Sequence, residues 1–186
     1  MGVYLKTFMG YRVDPLNPEP ETITLTDIAH ALSLICRANG QGTHFYSVAQ
    51  HCINAAKEAK ERGDSARVQL GCLLHDGAEA YLADLIRPVK QFMPKYYEIE
   101  DNFLNVIYSK FGLPDLTEEE LAEIKDVDDA LLDYDLVELL KEPAPEAGYR
   151  LKRTPDLAFV PFEEAQEEYI RIANHLISEL KPGEKI

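Results

Sequence analysis

The 186-residue chain is short of positive charge: 19 lysines and arginines stand against 33 acids, a formal net charge of −14. Such a surface repels nucleic-acid backbones and anionic membranes, so neither a nucleic-acid polymer nor a membrane is an expected partner. A small phosphorylated molecule is still allowed, because a metal ion and a few local cations act at short range, where a distant net charge is screened. No uninterrupted apolar run reaches the roughly 18 residues that a membrane span needs. Cysteine is scarce as well. Cys36, Cys52 and Cys72 make no Cys-x-x-Cys pair and no even-numbered framework, and no secretory signal accompanies them. Buried, reduced thiols in a cytoplasmic protein are therefore expected, although Cys72-x-x-His75 has the spacing of neighbours on one helical face. Internal repeats and low-complexity segments are also lacking.

What is present suffices for a core. Hydrophobic residues make up 46% and charged residues 28%, proportions that fit a soluble globular protein rather than a disordered one, and the length fits one domain. The mixed β-branched and aromatic residues of 3–13, broken by Met9-Gly10, predict a short hairpin, and the proline-rich DPLNPEPE that follows excludes helix and central strand. From Thr26, a plausible N-cap, Ile28, Ala31, Leu32, Ile35 and Cys36 repeat at helical spacing as far as Asn39-Gly40. A second helix runs from Ser47 to Gly63, and a third from about Asp64 to Leu82. A fourth spans Lys95 to Phe111. Thr117 and Glu120 stand in capping-box relation before a long helix whose apolar face is Leu121, Ile124, Leu131, Leu132, Leu136 and Leu139. Residues 142–160 read as a connector and 162–180 as a final amphipathic helix. The expectation is one all-α domain: a β clasp and lead-in over 1–24, a helical core over 25–140, then the connector and last helix over 141–186.

The chemistry gathers in residues 71–84, GCLLHDGAEAYLAD. An apolar Leu73-Leu74 runs into His75-Asp76, and ionisable groups so placed need a partner, for which a divalent cation suits imidazole and carboxylate together. His51 lies inside the stripe Val48, His51, Cys52, Ala55, Ala59, while His75 shares a face with Val68, Cys72 and Glu79, so successive antiparallel helices can bring the two imidazoles together. On the long helix Asp128 falls on the face of Ile124 and Leu131, whereas Asp129 aligns with Lys125 and Asp133 on the polar side. The plain alternative makes both acids surface charges. Glu79 and Asp84 are carboxylates able to orient a water beside a metal, or else a partner of a ligand histidine and a turn cap. Arg37, before glycines, suits a phosphate clamp or a surface pair. His30 reads as a hydrogen-bonded structural residue and His175 as part of a solvated face; for His44, in a loop, substrate contact and plain exposure are equally compatible.

The order His51, His75-Asp76, Asp128 resembles the HD-domain metal-dependent phosphohydrolase superfamily. FYSVAQHC, LLHDGAEAYLADLIRPVK and VDDALL resemble its branch of bacterial 5'-deoxynucleotidases and phage dATP triphosphohydrolases, over about residues 25–140. The resemblance implies an HD-domain helical bundle with His51, His75, Asp76 and Asp128 as metal ligands, although a gap-free comparison with the 5'-deoxynucleotidases favours Asp129. It implies Glu79 and Asp84 as catalytic acids and Arg37, with Lys90, on the substrate phosphate. Ala38-Asn39 depart from the pattern, since relatives place an aromatic residue after the arginine. The absence of histidine between Asp76 and Asp128 favours one metal ion: cobalt, manganese, zinc or magnesium. The implied substrate is a small nucleotide. Few basic residues stand near the site, namely Arg37, Arg87, Lys90, Lys95 and Lys125, which favours a monophosphate over a triphosphate; a non-catalytic regulatory module is the alternative outside enzymes. Self-association through the clasp or the last helix is a further implication.

Overall fold

A computed structural model describes residues 4–180. The chain is all-α apart from one hairpin near its start. Strands β1 (Leu5–Lys6) and β2 (Arg12–Val13) pair antiparallel, Leu5 opposite Val13, and Gly10 turns the chain at φ +91°, a conformation open to glycine. Val3, the first residue of the expected hairpin, lies outside the described residues. Met9 donates its backbone N–H to Asp27 Oδ1 at 2.8 Å, which fastens the clasp to the first helix.

That helix, α1 (Leu25–Leu34), starts earlier than expected, because Thr24 rather than Thr26 is its cap and accepts the Asp27 N–H at 3.0 Å. It also ends earlier. Ile35 is extended, and the chain over Ile35–Arg37 pairs with Tyr46–Val48 through Arg37 N to Tyr46 O and Val48 N to Ile35 O, so those backbone groups cannot continue a helix. Arg37–Gly40 then form a tight turn with Ala38 and Asn39 at positive φ. Helix α2 (Val48–Arg62) matches expectation, with a Ser47/Gln50 capping box and Gly63 in the left-handed region after it.

The third expected helix is broken. Helix α3 (Ala66–Leu74) stops at His75, and α4 (Glu79–Leu82) resumes after a turn tightened by bonds from Gly77 N to Leu74 O and from Glu79 N to Asp76 O. A Cβ on residue 77 would stand 2.9 Å from Leu74 O, so the turn needs glycine. Past Ala83, whose φ of 80° and ψ of 154° are costly for a side-chain-bearing residue, come α5 (Arg87–Lys90) and α6 (Pro94–Lys110).

Helix α7 (Glu118–Glu138) carries the expected Thr117/Glu120 box. Its buried face differs in part from the predicted one: Ile124, Val127, Ala130, Leu131 and Asp135 turn inward, whereas Leu121 is 44% exposed. Contact with α2 and α3 is made by Ile124, Val127 and Leu131 against Ala55, Ala59, Val68 and Cys72. Gly71 permits this approach, since a Cβ there would fall 2.2 Å from Ile124 Cδ1.

Helix α8 (Phe162–Leu180) closes the larger core, burying Ala165, Tyr169, Ala173 and Leu176 across α1, α2 and α3. Tyr169 donates its hydroxyl to Leu73 O at 2.7 Å, two residues before His75. The connector is pinned by Glu58, fully buried, which accepts from Lys152 N, Arg153 N and Arg62 Nε. Among the described residues, no helix is long and apolar enough to cross a membrane.

Candidate metal centre

His51 sits in the first turn of α2 with 0% of its surface exposed, between two acids of α7. Its Nδ1 lies 3.1 Å from Asp135 Oδ2 and its Nε2 3.1 Å from Asp128 Oδ1. With the proton on Nδ1, toward Asp135, the Nε2 lone pair is free for a cation beside Asp128, an arrangement common to metal-binding histidines. His75, on the turn after α3, reaches the same state by another route: Nδ1–H donates to Cys72 O at 2.8 Å. Its Nε2 is buried without a hydrogen-bond partner among the described residues, 3.2 Å from Asp76 Oδ2 and 3.5 Å from Asp128 Oδ1 in poor bonding geometry. The two rings stand 5.3 Å apart and tilted, with no stacking between them.

His51, His75 and Asp76 thus each offer a ligand atom within 4.8 Å of one another, and the cluster can hold a metal ion. The broken helix matters here. On a continuous helix neighbouring residues point about 100° apart, whereas the tightened turn lets both His75 and Asp76 face His51.

Charge in the cluster is strongly coupled. Burial opposes a charged His75, but Asp76 above all, with Asp128, raises its pKa well above the ordinary imidazole value. Burial likewise opposes charge on Asp76 and Asp128, yet the imidazoles, with Arg37 acting on Asp76, hold both carboxylates below their usual range. The acids demand positive charge between the imidazoles, and a proton or a metal ion can supply it.

Asp128 is the acid that faces the imidazoles. Asp129 turns away to Lys125 Nζ and to Arg87 Nη2, the latter at 2.9 Å. Arg37 lies on the tight turn after α1, not at a helix end, and reaches Asp76 Oδ2 at 3.3 Å and Asp135 Oδ2 at 3.7 Å. Glu79 is buried with Oε2 unpartnered among the described residues; burial, then the charges of Asp76 and Asp84, push its pKa well up. Burial also raises that of Asp84, which is half-buried. Lys90 makes no direct contact with the imidazoles or their carboxylates: it pairs with Glu100 Oε2 at 2.5 Å, against the rings of Tyr96 and Tyr97.

The remaining histidines lie elsewhere. His30 bonds Gln166 at 3.0 Å and stacks on Phe8, His44 meets Leu157 O at 2.6 Å, and His175 pairs with Glu179 at the surface. All three thiols are free, and burial pushes that of Cys52 up to about 11 and that of Cys72 up to about 12, as befits core residues.

Sequence reasoning missed Asp135, and it placed Arg87 near the site without foreseeing its contact. Asp135 follows Asp128 by seven, two helical turns along the same face, and that spacing was the available signal. Arg87 bonds Asp128 Oδ2 at 2.8 Å from an exposed position, and no periodicity marks it.

No family model matches this chain. It is 41% identical over 111 residues to an uncharacterized protein of Rhodobacter capsulatus, a match covering 56% of each chain. It is 37% identical over 113 residues to the uncharacterized protein YfdR of Escherichia coli, covering 60% of each. The matches therefore span less than two thirds of these curated relatives.

Proposed function

We propose that the chain is an HD-domain metal-dependent phosphohydrolase acting on a small deoxynucleotide, removing phosphate from its 5'-monoester. One observation carries this reading. Two imidazoles from separate elements, that of His51 fully buried and that of His75 largely so, have their Nδ1 atoms engaged and their Nε2 atoms directed at a point shared with Asp76 and Asp128. The unpartnered Nε2 of His75 and the surplus of acids fit a cation, and His51, His75, Asp76 and Asp128 would hold one divalent ion. When bound, such an ion supplies Lewis acidity, polarising a phosphoryl oxygen and making water a stronger acid.

The chain's own groups account for the rest. Arg37 presents guanidinium N–H groups beside the cluster, where they bind phosphate oxygens and offset the charge that develops on them. Glu79 and Asp84 manage protons: water displaces the 5'-oxygen at phosphorus, one of them as carboxylate takes the water proton, and the other, in its protonated form, gives its proton to the leaving oxygen. Glu79 Oε2, buried and without another partner, is the atom available to bond that water.

The test is a panel of deoxy- and ribonucleoside mono- and triphosphates, assayed on metal-stripped protein resupplied with cobalt, manganese, zinc or magnesium. Orthophosphate with free deoxynucleoside is the expected product. Tripolyphosphate would make the chain a triphosphohydrolase instead, and tight nucleotide binding without turnover would make it a regulatory module. No hydrolysis and no binding with any metal would contradict the reading.

A further inference from the structure

Arg87 stands at the outer side of the cluster, and the roles above leave it unused. It is carried by α5, a single turn between the strained Ala83 and α6, and more than half of its side chain is exposed. Its Nη2 nevertheless reaches 2.8 Å from Asp128 Oδ2, while the other oxygen of that carboxylate faces both imidazoles. Arg37 approaches from the opposite, more buried side, through Asp76 and Asp135.

Charge distinguishes the two arginines. Asp76, Asp128 and Asp135 are three carboxylates, and one divalent cation with Arg37 neutralises them, leaving no positive charge in that inner set to attract an incoming dianion. Arg87 also stands 2.9 Å from Asp129 Oδ1, while Lys125 pairs with the other oxygen of that carboxylate and stays with it when Arg87 turns away. Arg87 is therefore a guanidinium held at the centre by a neighbour that can release it, and its exposure leaves it room to turn toward a tetrahedral oxyanion.

Resting on the reading of this site as a metal-dependent phosphate centre, we infer that Arg87 is a second phosphate-binding residue, whose guanidinium turns from Asp128 and Asp129 to clamp the substrate phosphate together with Arg37.

Inorganic phosphate is the probe, titrated calorimetrically into cobalt-loaded wild-type, Arg87→Gln, Arg87→Lys and, as a control at the exposed Lys60, Lys60→Gln proteins, with cobalt affinity measured separately on each. Arg87→Gln is expected to weaken phosphate binding by about tenfold or more, as loss of a charge-assisted pair implies. Arg87→Lys should lose part of that affinity, and neither variant should lose cobalt binding. Unchanged phosphate affinity in Arg87→Gln overturns the inference, as does an equal loss in Lys60→Gln, which would mark a bulk-charge effect. Wild-type protein that takes up cobalt but no phosphate also overturns it. Failure of wild-type protein to take up cobalt would instead remove the underlying reading of the site.

Discussion

At the level of single residues, the centre depends on which nitrogen of each imidazole is free. Asp135 settles this for His51 and also pairs with Arg37, so one carboxylate serves a ligand candidate and a phosphate-binding candidate together. Asp135→Asn keeps the shape and removes the charge; it is expected to lower cobalt or manganese affinity by about 10- to 100-fold, read by calorimetric titration. The need for a partner was legible in the sequence, because a histidine inside an apolar stripe cannot stay unbonded. The partner itself was not. The reading of the long helix weighed only Asp128 and Asp129 as ligands, and Asp135 looks like any other acid in DALLDYDL unless the spacing of seven is followed. Arg87 was less accessible still, since its contact with Asp128 depends on the path of a loop that periodicity does not describe.

At the level of elements, the unforeseen feature is the break between α3 and α4. Val68, Cys72, His75 and Glu79 keep helical spacing across it, and a hydrophobic pattern cannot distinguish a continued helix from a tightened turn that preserves the same face. Gly77 was the local clue, since its Cβ would meet Leu74 O. Gly77→Val should cost about 1–3 kcal/mol in denaturant unfolding and weaken metal binding through displacement of Asp76. The first helix gives a simpler lesson. Two threonines stood within reach of its start, and the N–H of Asp27 selected Thr24; Thr24→Ala is expected to lower stability by about 1 kcal/mol in the same assay.

Helix α8 supplies a prediction in pH. Glu168 accepts from Arg171 and pairs with Lys57 of α2, and these partners, Arg171 first, lower its pKa from 4.5 to about 2. Because the folded value is the lower one, its contribution is present in full above about pH 4.5 and is lost as pH falls toward about 2. Mostly exposed pairs are weak, so Glu168→Gln should destabilise by no more than about 1 kcal/mol at pH 7. Urea titrations of both proteins should converge as the pH is lowered.

Across the whole molecule, the sequence was most informative where burial and spacing reinforce each other. The all-α class, the hairpin, the Thr117/Glu120 capping box and the amphipathic last helix are all present in the structure. It was least informative where backbone leaves regular structure, from Ile35 to Gly40 and from His75 to Gln91, and those segments carry Arg37, His75, Asp76, Glu79, Asp84 and Arg87. The centre lies where α2, the α3–α4 turn and α7 meet, so regular helices provide the rigid frame and the turns provide most of the chemistry. The central claim is that this meeting point binds one divalent ion. Calorimetric titration of manganese or cobalt into metal-stripped protein tests it most directly, with His75→Ala alongside. The account predicts saturable binding of one ion per chain in wild-type protein and its loss in folded His75→Ala; no saturable binding, or equal binding in both proteins, would contradict it.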